Sequence, residues 1–439
     1  MTAAFLYDED NLPRTAPARD RATVAGLWLI LGSLVFLQRF SIGGVPVAFG
    51  ISYGVLIALF LLRAVIIDTT FLIFFMVVTA IASLSIFWWP ANASLSSYLY
   101  LIAIYALYML RFRNKGASFA LAQDIFLKCM LVAAVCGIVQ FLGQFVLGFE
   151  RVFPLEFLPQ SILAVNYNVI IPLTYGASIV KSNGIFFLEP SFFSQFLAIA
   201  LIIELLGRQR PIQSALLVLA MLLSYSGTGL ITVALFAPFA LIRRVNVPII
   251  LGGVLVGIIV FLSMGFLELY TLLGRAGEFT STESSGFARF ISPFYLIRDF
   301  LMPSPDNFLF GMGPGTIDAA LDKASLHAYI AHDPTWIKAI FEYGLVGGIA
   351  MLTYVIAASY TGSRDRLITT MLLFVWLVLG GYLLNGMMNM LFLSLGALHG
   401  FPAERIEERP LTPRHARMAP RGTRRQRYAS PPLAHTRPH

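Results

Sequence analysis

From about position 23 the chain alternates between long apolar runs and short polar breaks. Most runs approach the ~20 residues that a helix needs to cross bilayer hydrocarbon. They lie near 23–39, 45–62, 69–89, 95–111, 123–148, 185–206, 211–224, 228–243, 247–266, 336–360, 367–384 and 386–399. The pattern predicts an all-α, polytopic membrane protein of about 12 transmembrane helices. The seventh, eighth and twelfth runs are the shortest, and Asn385-Gly386 either separates two helices or breaks one long one.

Basic residues settle that choice at the sequence level and set the orientation. Arg14, Arg19 and Arg21 precede the first run, Arg63 follows the second, and Arg111, Arg113 and Lys115 follow the fourth. Arg208 and Arg210 follow the sixth, Arg243 and Arg244 the eighth, Arg364 and Arg366 the tenth, and an arginine-rich tail the twelfth. With twelve spans every cluster falls on one side, which the positive-inside rule makes the cytoplasm. The expected organisation is a cytoplasmic N-terminal tail over 1–22, a membrane domain over 23–400 and a basic cytoplasmic tail over 401–439. Two long loops, about 149–183 and 266–335, then lie outside, and these are the periplasmic loops if the membrane is a bacterial inner one. The tail is rich in Pro and Arg and poor in apolar residues, so disorder is expected there.

Composition agrees: 58% of the 439 residues are hydrophobic, 12% are charged, and the mean hydropathy is +0.77, outside the soluble range. The net charge of +8 resides in topology-setting clusters, so no nucleic-acid partner is expected. Cys129 and Cys136 stand seven residues apart, about 10 Å along a helix, which predicts two thiols and no disulfide. No small-residue cleavage pattern follows the first run, so it is expected to stay as an anchor.

Polar groups that are costly near a membrane gather in the stretch from Gly286 to Gly348. It holds Arg289, Arg298, the glycine-rich Gly311-Met-Gly-Pro-Gly315, His327, His332, Asp333, Lys338 and Glu342. Arg289 and Arg298 lie on the outer side, where topology asks for no positive charge. Guanidinium groups hold phosphate oxygens bidentately, so with Arg275, Arg151 or Lys181 they would suit a diphosphate, or else they are paired loop arginines. Gly313 and its neighbouring glycines permit close backbone approach to a ligand, or a sharp turn. His332, just ahead of a membrane helix, is the foremost general base for a sugar hydroxyl, with His327 as its rival. Glu189, expected about a turn and a half inside the sixth span, is either a working carboxylate or the neutraliser of a helix start. Ser224 to Gly229 forms an anion-binding turn or a tight interhelical turn. No metal-ligand motif occurs, and Asp8-Glu9-Asp10 lies in the cytoplasmic tail, so neither metal nor cofactor is expected.

These motifs resemble those of the Wzy-type polysaccharide polymerases and the related O-antigen ligases. The matching segments are Asn183-Gly-Ile-Phe-Phe-Leu-Glu-Pro-Ser191, Ser226-Gly-Thr-Gly229, Arg289 ahead of Leu309 to Gly315, and His332 through Gly347, across roughly residues 20 to 400. The resemblance implies metal-independent glycosyl transfer at the outer face of the bacterial inner membrane, from a glycan carried on undecaprenyl diphosphate. It places Arg289 at a diphosphate-contacting arginine and His332 at the histidine that opens the ligases' His-Asn motif. Here the motif reads His-Asp, and Lys181 stands where an arginine is common.

The expected activity is repeat-unit polymerisation for an exopolysaccharide or O-antigen, with His332 or Glu189 as base and Arg289, Arg298, Lys181, Arg151 and Gly313 on the substrate. Membrane lipid, a chain-length regulator and a flippase are the implied partners. The rivals are a ligase acting on a lipopolysaccharide core and a transporter or flippase. A transporter needs ionisable groups at mid-membrane, whereas here they crowd the outer ends.

Overall fold

A computed structural model describes residues 18–89, 91, 93–113, 117–173, 177–243, 284–327 and 331–400. Every expected apolar run within the described residues carries a helix. These are α1 (Ala18–Phe36), α2 (Val47–Leu61), α3 (Thr69–Trp88), α4 (Leu95–Tyr105), α5 (Ala117–Leu147), α6 (Pro190–Leu206), α7 (Pro211–Leu223) and α8 (Gly227–Arg243). After them come the short α9 (Ser285–Phe290), α10 (Ser292–Leu296), α11 (Pro305–Phe310) and α12 (Ile317–His327), then α13 (Thr335–Gly362), α14 (Arg366–Val378) and α15 (Gly386–Leu395). The run 247–266, Arg275 and the two tail regions 1–17 and 401–439 lie outside the described residues. Among the described residues, α3, α5 and α13 are long and apolar enough to cross a membrane by themselves, and eight further helices are apolar but shorter.

Helix starts follow local chemistry. Asp68, Ser94, Asp365 and Asn385 each accept backbone N–H bonds as caps of α3, α4, α14 and α15. Proline opens α6, α7 and α11, where its missing N–H costs nothing.

At the centre stands α6, nearly all of whose side chains are buried, packed by α5, α7 and α8. Gly229 lets α8 close on α6: a methyl group there would sit 2.4 Å from the Ser194 carbonyl oxygen. The Ser224–Gly229 segment is thus a tight interhelical turn, with the Gly229 N–H donating to Ser194 Oγ at 3.1 Å. Val132, Val135, Val139, Leu142 and Val146 leave an exposed apolar face on α5, as a lipid-facing helix does. Both cysteines are free thiols, Cys129 buried and Cys136 half-buried.

One end of the bundle is stitched by a small hairpin. Strands β3 (Val65–Ile67) and β4 (Leu110–Phe112) pair antiparallel, whereas β1 (Ser41–Ile42) and β2 (Val45–Pro46) form a separate turn. Arg111 donates to the carbonyls of Tyr108, Leu110 and Ala358, which ties β4 to the far end of α13. There His399 Nδ1 meets Ser118 Oγ at 3.0 Å.

Helix α13 is broken. Gly344 has φ +69° and ψ −179°, so residues 335–343 and 345–362 are two helical pieces. A break strips carbonyls of their helical partners, and buried carbonyls need others. The glycine-rich turn supplies them: Met312 N–H donates to Phe341 O at 2.9 Å and Gly313 N–H to Glu342 O at 3.0 Å. The Gly313 amide is therefore spent on the helix break.

Candidate active site

The segment leading to α6 is irregular, not helical from 185 as the apolar run suggests. Pro190 disfavours helical backbone at Glu189, and Ile185 takes φ +68°. Buried side chains hold the segment in place. Gln140 Nε2 donates to Asn183 Oδ1 at 2.8 Å, Ser182 Oγ to Gln140 Oε1 at 2.9 Å, and Asn183 Nδ2 to Phe187 O at 3.0 Å. Glu189 is consequently the extended residue at the mouth of α6, with φ −148° and ψ 161°, and not a residue inside the span. Its carboxylate makes no cap to the α6 amides. Oε1 accepts from the Asn168 N–H at 3.2 Å, and Oε2 from Ser191 Oγ at 3.0 Å.

His332 reaches the same place from the other long loop. Its N–H donates to Ala288 O at 3.0 Å, which fixes it one residue from Arg289 in the last turn of α9. Three residues later Thr335 pins the start of α13 to the turn after α14: its N–H and Oγ1 both donate to Gly380 O, at 3.0 and 3.1 Å. Tyr382 N–H donates back to Thr335 Oγ1 at 2.9 Å, and the buried Tyr382 hydroxyl donates to Gln195 Oε1 on α6. The Phe192 ring packs against Tyr382 on one side and Tyr167 on the other, with centroids 5.9 and 6.3 Å away.

Charge links these pieces. Although His332 is exposed on its open side, its imidazole is held below the ordinary histidine value. Desolvation is the largest cause and the Arg289 charge the second, opposed by Asp333 and Glu189. Arg289 and Glu189 also both act on the Tyr382 hydroxyl, in opposite directions. Burial and the Glu189 charge push the Tyr167 phenol up. A neutral imidazole, a carboxylate and a guanidinium from three separate segments thus share one end of the bundle. Such a group can accept a proton from a hydroxyl and offset charge on a leaving phosphate.

The other expected residues stand elsewhere. Arg298 pairs with Asp299 at 2.6 Å and lies over the Tyr295 ring, with its charge centre 4.8 Å from the ring centroid. Lys181 is half-buried, and its N–H donates to Ile171 O at 2.9 Å. Arg151 is exposed on a short 3-10 turn, Phe149–Val152. His327 ends α12, and its side chain lies outside the described residues. Among the described residues no group of three His, Cys, Asp or Glu side chains could hold a metal ion. Tyr167, Gln195 and Tyr382 are additions that the sequence did not suggest. Gln195 and Tyr382 sit inside apolar runs, and only their polar ends mark them out.

The described helices thus form a membrane-type bundle with a cluster of ionisable side chains near the mouth of α6. The chain belongs to the WcaD colanic acid polymerase family, which matches residues 27–398, and this is a Wzy-type polymerase family. Membership places it among polysaccharide repeat-unit polymerases of the glycosyltransferase type. No curated protein and no solved structure matches the chain.

Proposed function

We propose that the chain lengthens a polysaccharide at the periplasmic face of the bacterial inner membrane, with both termini in the cytoplasm and about twelve spans. The donor is a glycan on undecaprenyl diphosphate and the acceptor is a sugar hydroxyl of a second lipid-linked repeat unit. The observation that carries this reading is the convergence of His332, Glu189 and Arg289 at one end of α6 and α13.

In the reaction the acceptor oxygen attacks the anomeric carbon and a new C–O bond forms. The bond between that carbon and the phosphate oxygen breaks, and the diphosphate leaves with the electron pair. His332 takes the hydroxyl proton; Glu189 favours the imidazolium that results. Arg289 offsets the charge growing on the diphosphate, as a metal ion does elsewhere. Arg298, Lys181 and Arg151 lie outside this group and would act on more distant parts of the glycan or lipid. A chain-length regulator and a flippase of the same pathway would be its partners.

The test is purified protein in lipid vesicles with lipid-diphosphate repeat units and excess chelator. Polymer of increasing length is expected. Transfer only to an added lipopolysaccharide core would indicate a ligase, and activity that needs a divalent ion would overturn the role given to Arg289.

A further inference from the structure

Lys338 stands one turn inside α13 and is only 8% exposed. Three carboxylates surround its ammonium: Asp333 Oδ2 at 3.2 Å, Asp318 Oδ1 at 3.8 Å and Glu342 Oε1 at 3.9 Å. They come from different places. Asp333 adjoins His332, Asp318 lies in the first turn of α12, and Glu342 lies on the next turn of α13, beside the break. Glu342 is wholly buried and, apart from an approach by the Gly315 N–H, its carboxylate has no hydrogen-bond donor among the described residues.

A buried cation in this setting has two separable uses. It can neutralise Glu342, which would otherwise be an unpaired charge in a membrane helix, or it can hold Asp333. The distances favour the second use: Asp333 receives a hydrogen bond, whereas Glu342 stays at the limit of an ion pair. Asp333 is also wedged from behind. A methyl group on Gly381 would lie 2.8 Å from Asp333 Oδ1 and 3.0 Å from its carbonyl oxygen. Because the His332 N–H is fastened to Ala288 O, residues 332 and 333 are gripped on two sides, and neither can turn without the other.

We propose that Lys338 is a positioning residue for the transfer reaction: by tying Asp333 into α13 it fixes the neighbouring His332 beside Arg289 and Glu189. The proposal rests on the reading of His332 as the base. The charged groups that act on the His332 ring are Arg289, Asp333 and Glu189, so any effect of Lys338 on its protonation runs through Asp333. Without the ammonium, the Asp333 charge is uncompensated and the imidazolium is favoured. The base then becomes neutral only at higher pH.

The test compares turnover against pH for full-length protein in vesicles. Glu342→Gln removes the carboxylate that Lys338 would otherwise neutralise, and should keep the wild-type rate and acid limb. Lys338→Met/Glu342→Gln removes the cation and the fully buried carboxylate together, so Glu342 is not stranded, while the part-exposed Asp333 loses its partner. It should lower kcat by about ten- to a hundredfold, the cost of a misplaced catalytic group, and move the acid limb to higher pH. Lys338→Arg, which keeps the charge within reach of Asp333, should restore the limb. A double variant that matches Glu342→Gln, or one whose kcat falls with no movement of the limb, overturns the proposal. Should the double variant not fold, Asp333→Asn cuts the same tether from its other end. There kcat should drop and the limb should move to lower pH, and a wild-type profile overturns the proposal. Full activity in His332→Ala would instead refute the reading of the reaction, whatever Lys338 does.

Discussion

Gly311 and Gly344 meet backbone to backbone. A methyl group on Gly311 would lie 2.4 Å from Gly344 N, and one on Gly344 would lie 2.5 Å from Gly311 N and 2.2 Å from Leu309 O. Both residues have positive φ, +80° and +69°. Each alanine variant therefore meets a positive-φ, extended-ψ backbone that is essentially glycine-only, worth ~1–3 kcal/mol, and an overpacked contact, worth ~1–3 kcal/mol. Gly311→Ala and Gly344→Ala should each lower the thermal midpoint in detergent. Gly50→Ala, in a helix with open space around it, is the control and should hold or raise the midpoint.

His332 must be neutral to accept a proton, and its environment holds its pKa below the usual histidine value. The rate should accordingly be full at pH 7 and fall only as the pH drops through that lowered value, with an acid limb below about 6.5. His332→Ala should cut turnover by about 10²- to 10⁴-fold while the protein still inserts and still binds the donor. Full activity in this variant would remove His332 from the chemistry.

Glu189→Gln separates two roles for the carboxylate. The amide oxygen can still accept from the Asn168 N–H, yet the charge that favours the imidazolium of His332 is gone. If Glu189 tunes the base, the acid limb shifts to lower pH and substantial activity remains. Loss of turnover at every pH would make Glu189 the base itself.

For Arg289 the discriminating pair is alanine and lysine. Arg289→Ala should lose most activity, and Arg289→Lys should recover little, since a point charge cannot reproduce the planar two-point grip of a guanidinium on phosphate oxygens. Because Arg289 also lowers the His332 value, the alanine variant should show its residual activity with an acid limb at higher pH. Normal polymerisation by the lysine variant would reduce Arg289 to a simple cation.

Orientation is tested by reporter fusions. Those placed in the 112–116 loop and in the tail should report cytoplasm, and one near Ser304 should report periplasm. A periplasmic tail would refute the twelve-span arrangement.

The longer helices were legible because each follows a mostly apolar run bounded by basic residues, proline or glycine; the short α9 to α12 were not, since they lie in the polar stretch expected to be a loop. The break in α13 was not legible either, since Gly344 sits in a run that keeps the apolar content of a membrane helix on both sides, and a glycine there carries no distinct signal beside Gly347 and Gly348. His332, Arg289 and Glu189 were recognisable as costly polar groups at membrane edges. The sequence placed Glu189 wrongly within its helix, because the hydrophobicity of Ile185 to Leu188 outweighed the local effect of Pro190. Gly313 was marked by its glycines as a backbone contact, but its partner turned out to be the carbonyl of Glu342. Lys338 was visible as a charge; its three carboxylates come from 318, 333 and 342, a grouping that only the folded chain makes.

The shortness of α7 bears on the surrounding lipid. Its thirteen residues span about 20 Å at 1.5 Å each, against a hydrocarbon layer of about 30 Å. Ile212 and Leu219 leave part of the helix uncovered by protein. In the proposed twelve-span arrangement, the bilayer beside α7 would have to thin, or the helix ends draw head groups inward, at a cost of a fraction of a kcal/mol per Å. Acyl-chain length would then become a variable of the enzyme: bilayers of shorter lipids would relieve the mismatch, and thicker ones would load it onto the turn at Ser224 to Gly229, where α7 passes into α8 against α6.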